Sequence, residues 1–239
     1  MGIDYSAQFW DVSSGKLRES ARFVKAEPAV TATLSPDGHV LAVGYLDGFF
    51  ALWDMASQRE LWRHHGHRSY VRECAFSGDG RWLATASDDG TAKLWDLQAH
   101  RELVTLLGHT EMVWAVAISS DQTMLATSGS DHSARLWSAP SGQLLAILTG
   151  HKEGVFRVAF SPDNKTLATA SDDDSVRLWH LATRREVGRL DHGRNVSSVR
   201  FSPDGELLVS GAQRNEIHFY PAQSFRALED EDRRRIVRE

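Results

Sequence analysis

Apolar and polar residues alternate along this chain in short runs, and each run ends in a turn. From Tyr70 the sequence reads YVRECAFS, GDG, RWLATAS, DDG, TAKLWDL, QAH and RELVTLL. A period of two over such short stretches predicts half-buried strands rather than helices. The Gly- and Asp-rich triplets predict tight turns, DDG being a hairpin type. The unit is therefore four short antiparallel strands, and no helical periodicity shows anywhere in 66–193.

The unit recurs. LATASDDGTAKLWD at Leu83–Asp96 is nearly copied as LATASDDDSVRLWH at Leu167–His180, with LATSGSDHSARLWS at Leu125–Ser138 between them. Trp10, Trp53, Trp95, Trp137 and Trp179 are spaced by 43, 42, 42 and 42 residues, and Tyr220 follows 41 residues later. A fixed period of this length is the mark of a repeat architecture. A small four-stranded sheet cannot bury both faces alone, and copies stacked radially make a β-propeller. The fold class is all-β. Strands three and four come first (SAQFWDVSS, LRESARF), four whole units follow, and NVSSVRFS, ELLVSGA and EIHFYP supply three more, 21 strands in all. That is about five blades plus a half-blade, an incomplete, open ring. The propeller is expected over 1–221, with a charged tail over 222–239.

Gly66-His67, Gly108-His109 and Gly150-His151 precede Trp95, Trp137 and Trp179, each histidine by 28 residues, and Trp53-Asp54 and Trp95-Asp96 close two units. On these residues the chain resembles the WD40-repeat β-propellers, over about residues 5 to 221. The resemblance implies a buried tetrad of His, Ser or Thr, Asp and Trp in each blade. It falls on His67, Ser87, Asp89 and Trp95, and on His151, Ser171, Asp173 and Trp179. A partial set has His109, Asp131 and Trp137, with Gly129 at the serine position. The unit ending at Trp53 keeps Asp47 but has Tyr45 and no Gly-His. The unit ending at Tyr220 keeps His192, with Ala212 and Arg214 at the Ser and Asp positions. A motif copied into every blade reads as scaffold, not as a catalytic triad. Family rings commonly close with seven blades, one of them shared by the two chain ends. The expectation is thus a missing segment upstream of Met1 and self-association through the open edge blades. The competing reading is a small ring in which the N-terminal half-blade pairs with the C-terminal strands, which would leave the strand around Tyr220 without a place.

Charge and composition narrow the function. The net charge is −5, with 41% hydrophobic and 25% charged residues, so nothing argues for nucleic acid or an anionic membrane. No apolar run approaches the roughly 20 residues that span a bilayer, and the N-terminus lacks the pattern of a secretory signal. Cys74 is the single cysteine, which removes an intrachain disulfide and a cysteine-built zinc site. These features point to the cytoplasm. The cluster Arg63-His64-His65-Gly66-His67 and the run Asp172-Asp173-Asp174 are read as loop and tetrad residues rather than metal ligands; no cofactor is expected.

The resemblance implies peptide or protein binding on the face that carries the Gly-His loops. By register the exposed positions there are Val30, Arg72, Trp114, Phe156 and Ser197, joined by Leu46, Asp88, Ser130, Asp172 and Gln213. Trp114 and Phe156 on adjacent blades, with Asp88 and Asp172 beside them, suit a protein or peptide segment bearing Lys or Arg. The expected function is a non-catalytic interaction scaffold, part of a larger regulatory protein. The alternative is a propeller enzyme with a site at the channel mouth, which needs a non-repeated polar cluster that the sequence does not display.

Overall fold

The computed structural model describes residues 6–11, 13–22, 28–213 and 216–221. The 222–239 tail lies outside them, as does Arg214. All 21 strands foreseen in the sequence form, and no helix occurs among the described residues. A two-stranded sheet, β1 (Ser6–Asp11) and β2 (Lys16–Arg22), precedes blade 1, which comprises β3 (Ala29–Leu34), β4 (Val40–Tyr45), β5 (Phe49–Asp54) and β6 (Arg59–His65). Blade 2 has β7 (Val71–Phe76), β8 (Trp82–Ser87), β9 (Ala92–Asp96) and β10 (Arg101–Leu106). Blade 3 has β11 (Val113–Ile118), β12 (Met124–Gly129), β13 (Ala134–Ser138) and β14 (Leu144–Leu148). Blade 4 has β15 (Val155–Phe160), β16 (Thr166–Ser171), β17 (Ser175–His180) and β18 (Arg185–Asp191). Blade 5 stops at three strands, β19 (Val196–Phe201), β20 (Leu207–Ala212) and β21 (Glu216–Pro221).

Every blade is an antiparallel meander, and the innermost strands β3, β7, β11, β15 and β19 lie side by side around a channel. Small residues permit this stacking. Ala84, Ala86, Ala92 and Leu94 of blade 2 are fully buried against Val113, Val116, Leu125 and Trp137 of blade 3, and the same interlock repeats at the next junction. Between strands two and three, one turn residue must adopt left-handed backbone. Gly48 and Gly90 fill it at φ 84° and 82°, while His132 and Asp174 bear it at 61° and 64°.

Among the described residues no sheet joins the last blade to the first, so the propeller is open. Its two ends differ. In blade 1, Leu41, Val43, Tyr45, Ala51 and Trp53 are buried in a cluster of their own. In blade 5, Ile217 and Phe219 stand at the register positions of Ala92 and Leu94. With no blade beyond them among the described residues, they are 63% and 64% exposed.

Candidate functional site

Two structures repeat at the Gly-His end of the blades: a buried hydrogen-bond network, and a kink in each innermost strand. The network comes first because it holds the loops in place. His67 Nδ1 lies 3.1 Å from Asp89 Oδ2, His67 Nε2 lies 2.7 Å from Thr85 Oγ1, and Trp95 Nε1 donates to the same Thr85 oxygen at 2.9 Å. Donor and acceptor chemistry fixes the protons. An indole N–H only donates and a carboxylate only accepts, so Thr85 accepts from Trp95 and gives its own proton to Nε2, while Nδ1–H points to Asp89. Blades 3 and 4 repeat this with His109, Thr127, Asp131 and Trp137, and with His151, Thr169, Asp173 and Trp179.

This corrects the serine assignment. The hydroxyl in the network belongs to Thr85, not Ser87, and to Thr169, not Ser171. Leu83, Thr85 and Ser87 share one face of β8, and Ser87 sits one pleat nearer the turn. There it donates to Ser69 O at 3.2 Å and accepts the Asp89 amide. Ser171 likewise bonds the Glu153 and Gly154 carbonyls. The set in blade 3 is therefore whole through Thr127, and Gly129 costs it nothing. Blade 5 has a reduced version, in which His192 Nε2 meets Ser210 Oγ at 3.2 Å and Tyr220 Oη at 3.1 Å.

The electrostatics follow from the bonds. Burial pushes the Asp173 carboxyl up, but hydrogen bonds from Ser175, the Lys152 amide and His151 outweigh it and hold it at about 2. Asp89 and Asp131 are likewise raised by burial yet held well below the usual carboxylate range by their hydrogen-bond donors. Burial lowers His151 against the pull of Asp173. The hydroxyls of Thr85, Thr127 and Thr169 are fully buried. A hydroxyl sealed from solvent and already accepting an indole N–H has no path to a substrate, whatever its likeness to a nucleophile. The glycine before the histidine has a steric reason: a Cβ on Gly66 would come within 2.8 Å of the Trp95 ring.

The kink explains the exposed positions. Strand pairing slips in every innermost strand, between Ala29 and Thr31, Val71 and Glu73, Val113 and Ala115, Val155 and Arg157, and Val196 and Ser198. The residue left out each time is Val30, Arg72, Trp114, Phe156 or Ser197. A bulge of this kind re-aims its side chain, and all five line one hollow of about 420 Å³ together with Met112 and Arg157. Trp114 and Phe156 stack with ring centroids 4.6 Å apart and planes 16° from parallel, both half-buried. Gly154 gives Trp114 its room, because a Cβ there would come within 2.5 Å of the indole.

Asp88 and Asp172 do not face the hollow as free carboxylates. Arg72 grips Asp88 with two bonds, Nε at 2.7 Å and Nη2 at 2.5 Å, and Asn195 donates to Asp172. Arg72 thus neutralises the Asp88 charge that was to receive a Lys- or Arg-bearing segment, while Asp172, bonded to a neutral amide, keeps its own. Below the hollow, Glu73 reaches across the channel. Its buried carboxylate takes Arg157 of blade 4, stands 3.6 Å from Arg200 of blade 5, and accepts the Val116 amide of blade 3 at 3.1 Å. Sequence reading overlooked this cluster. The signal was an opposite-charge pair, Glu73 and Arg157, at the same register position two blades apart.

The remaining expectations resolve locally. His64 packs edge-on to Trp95 at 5.0 Å, His65 Nε2 lies 3.2 Å from the Asp47 carbonyl, and His67 belongs to the network, so the three point to different partners. Asp172, Asp173 and Asp174 also diverge: Asn195 bonds the first, His151 the second, and the third takes the left-handed turn position. Cys74 is buried in the core, and burial pushes its thiol up, away from the reactive thiolate.

Four-stranded blades tied by a repeated His–Asp–Thr–Trp network define a class of repeat propeller. The family description "WD domain, G-beta repeat" matches residues 58–96, 100–138, 142–180 and 184–220, more than half of the chain, and the chain belongs to this WD40 family. Each matched segment begins on an outer strand and runs through the next three, so one family unit straddles two structural blades. None of the curated proteins compared with the chain matches it. WD40 repeats are in general protein-interaction scaffolds.

Proposed function

We propose that the chain is a non-catalytic interaction module that binds an extended segment of a partner protein in the hollow on the Gly-His face. The observation that carries this is convergence: five bulges, one per blade, aim Val30, Arg72, Trp114, Phe156 and Ser197 into one hollow. The lining does not favour the enzyme alternative. Its two arginines are already engaged with Asp88 and Glu73, and Ser197 turns its hydroxyl to the Gly211 carbonyl at 3.4 Å. No histidine, cysteine, lysine or carboxylate lines it to act as base or nucleophile.

The test compares proteins retained from a cell extract by the wild-type chain and by Trp114→Ala, with Trp10→Ala as an exposed control on the half-blade. Partners of the hollow are expected to weaken by about 2 kcal/mol with Trp114→Ala and to stay bound to Trp10→Ala. A folded Trp114→Ala chain that retains the same proteins with the same affinity would place binding elsewhere.

A further inference from the structure

We infer that the segment taken by this hollow carries a carboxylate beside an apolar or aromatic side chain. The inference rests on the docking site proposed above and reverses the charge that its sequence suggests. The hollow is lined by four apolar side chains, Val30, Met112, Trp114 and Phe156, by Ser197, and by two charged ones, Arg72 and Arg157. Both charges are positive. Their acids are set back: Asp88 lines a separate depression beside the Gly108-His109 loop, and Glu73 lies below, on the lower side of the channel.

The charges at the floor do not cancel. Arg157 and Arg200 share the one carboxylate of Glu73, whose second oxygen is occupied by the Val116 amide. Two guanidiniums on one carboxylate leave about one positive charge shared between Arg157, which lines the hollow, and Arg200, which lines the lower side. A guanidinium has five N–H donors in a planar fork, so Arg157 bonded to Glu73 keeps donors for a second carboxylate. Arg72 keeps free donors beyond its two bonds to Asp88. The outer loops carry both signs, Arg68 and Lys152 against Glu111 and Glu153, and Asp172, bonded to the neutral Asn195 amide, keeps a negative charge that does not line the hollow. A cationic side chain entering the hollow would meet two guanidiniums and no accepting oxygen from an acid. An Asp, a Glu or a chain-terminal carboxylate would find charge-assisted donors on the floor, while its apolar neighbour covers the Trp114–Phe156 stack.

The experiment pans a random peptide library on the folded chain and measures the selected peptides by titration calorimetry. Enriched sequences are expected to pair Asp or Glu with an apolar residue. Replacing that acid by Asn or Gln is expected to weaken binding about tenfold, the scale of one charge-assisted hydrogen bond. The acid preference is expected to vanish in Arg157→Gln and persist in Arg157→Lys. Arg72→Gln gives a second variant that leaves the Glu73 cluster intact, should Arg157→Gln fail to fold. Peptides that need Trp114 but are neutral or basic would overturn the acidic ligand and leave the docking site standing. Peptides indifferent to Trp114→Ala, or no enrichment at all, would overturn the docking site itself.

Discussion

Blades 2 to 4 and the blades that flank them solve one packing problem in different ways. In the middle blades a histidine is enclosed and every polar group of the network is matched: Nδ1 to a carboxylate, Nε2 to a threonine, and the threonine to an indole. Blade 1 puts Val43 where Thr85 stands and Tyr45 where Ser87 stands. Arg63 lies over the Tyr45 and Phe49 rings at 4.9 and 4.7 Å. Blade 5 keeps its histidine, but among the described residues His192 Nδ1 is a buried nitrogen with no partner. The lesson is that the blade shape does not require the network. A different set, Tyr45 beside Trp53 and under Arg63, serves where the histidine and threonine are replaced together, and a partial set as in blade 5 leaves an unmet donor or acceptor.

The hardest test of this contrast is Thr85→Val. It copies blade 1 at one position while keeping His67 and Trp95, so it strands Nε2 and the indole N–H together. A loss of about 3 kcal/mol is expected in urea unfolding, from two buried groups left unmatched. A cost near that of an ordinary surface change would show that the threonine is a spectator.

Asp89→Ala comes next, at about 2 kcal/mol, against less than about 0.5 kcal/mol for Asp47→Ala. Asp47 is exposed and accepts the Phe49 amide, whereas Asp89 accepts from His67, Thr91 and the Arg68 amide. Equal melting shifts for the two would erase the difference between the blades. The pH dependence has a definite sign. Asp89, Asp131 and Asp173 are lowered in the fold, so their stabilisation is present above the unfolded value of 3.8. It is lost as pH falls through the folded values, about 2 for Asp173. Acid unfolding is therefore expected to steepen below pH ~4, and to steepen less in Asp89→Asn.

The smallest effect is a gain. Arg214 holds the sequence position of the network aspartate in blade 5. Arg214→Asp is expected to raise stability by about 1 kcal/mol by giving His192 Nδ1 an acceptor. It should also lift the His192 pKa, which burial and the neighbouring His218 hold down. An unmoved His192 titration by NMR would mean that the missing acid is not what separates this blade from the middle three.

The strands were legible because alternation and turn residues are local. Every unit from YVRECAFS to RELVTLL formed where its pattern placed it, and the period of the tryptophans revealed the radial stack. The positions of Trp114 and Phe156 on the Gly-His face were legible by register, though not the reason for them, since a bulge leaves no break in the alternation of VWAVAI or VFRVAF. Thr85 and Ser87 could not be told apart in the sequence. They are polar residues two apart on one strand face, and only the depth of the pleat decides which meets the histidine. The Arg72–Asp88 grip and the Glu73 cluster depend on strand pairing and ring curvature, which a linear repeat does not encode.

The reach of Glu73 across the channel changes how such a chain can come apart. When repeats touch only their neighbours, stability is close to a sum of single-unit and nearest-neighbour contributions, and the array frays inward from its ends. Glu73 adds a contact of longer range, because one carboxylate of blade 2 holds blades 3, 4 and 5 at once. Peeling blade 5 or blade 4 away weakens the hold on a buried charge at the far side of the arc. Blades 2 to 5 thus share a contact beyond nearest neighbours, whereas blade 1 is held to blade 2 by the buried packing of Ala42, Phe50 and Leu52 on Val71, Leu83 and Trp95.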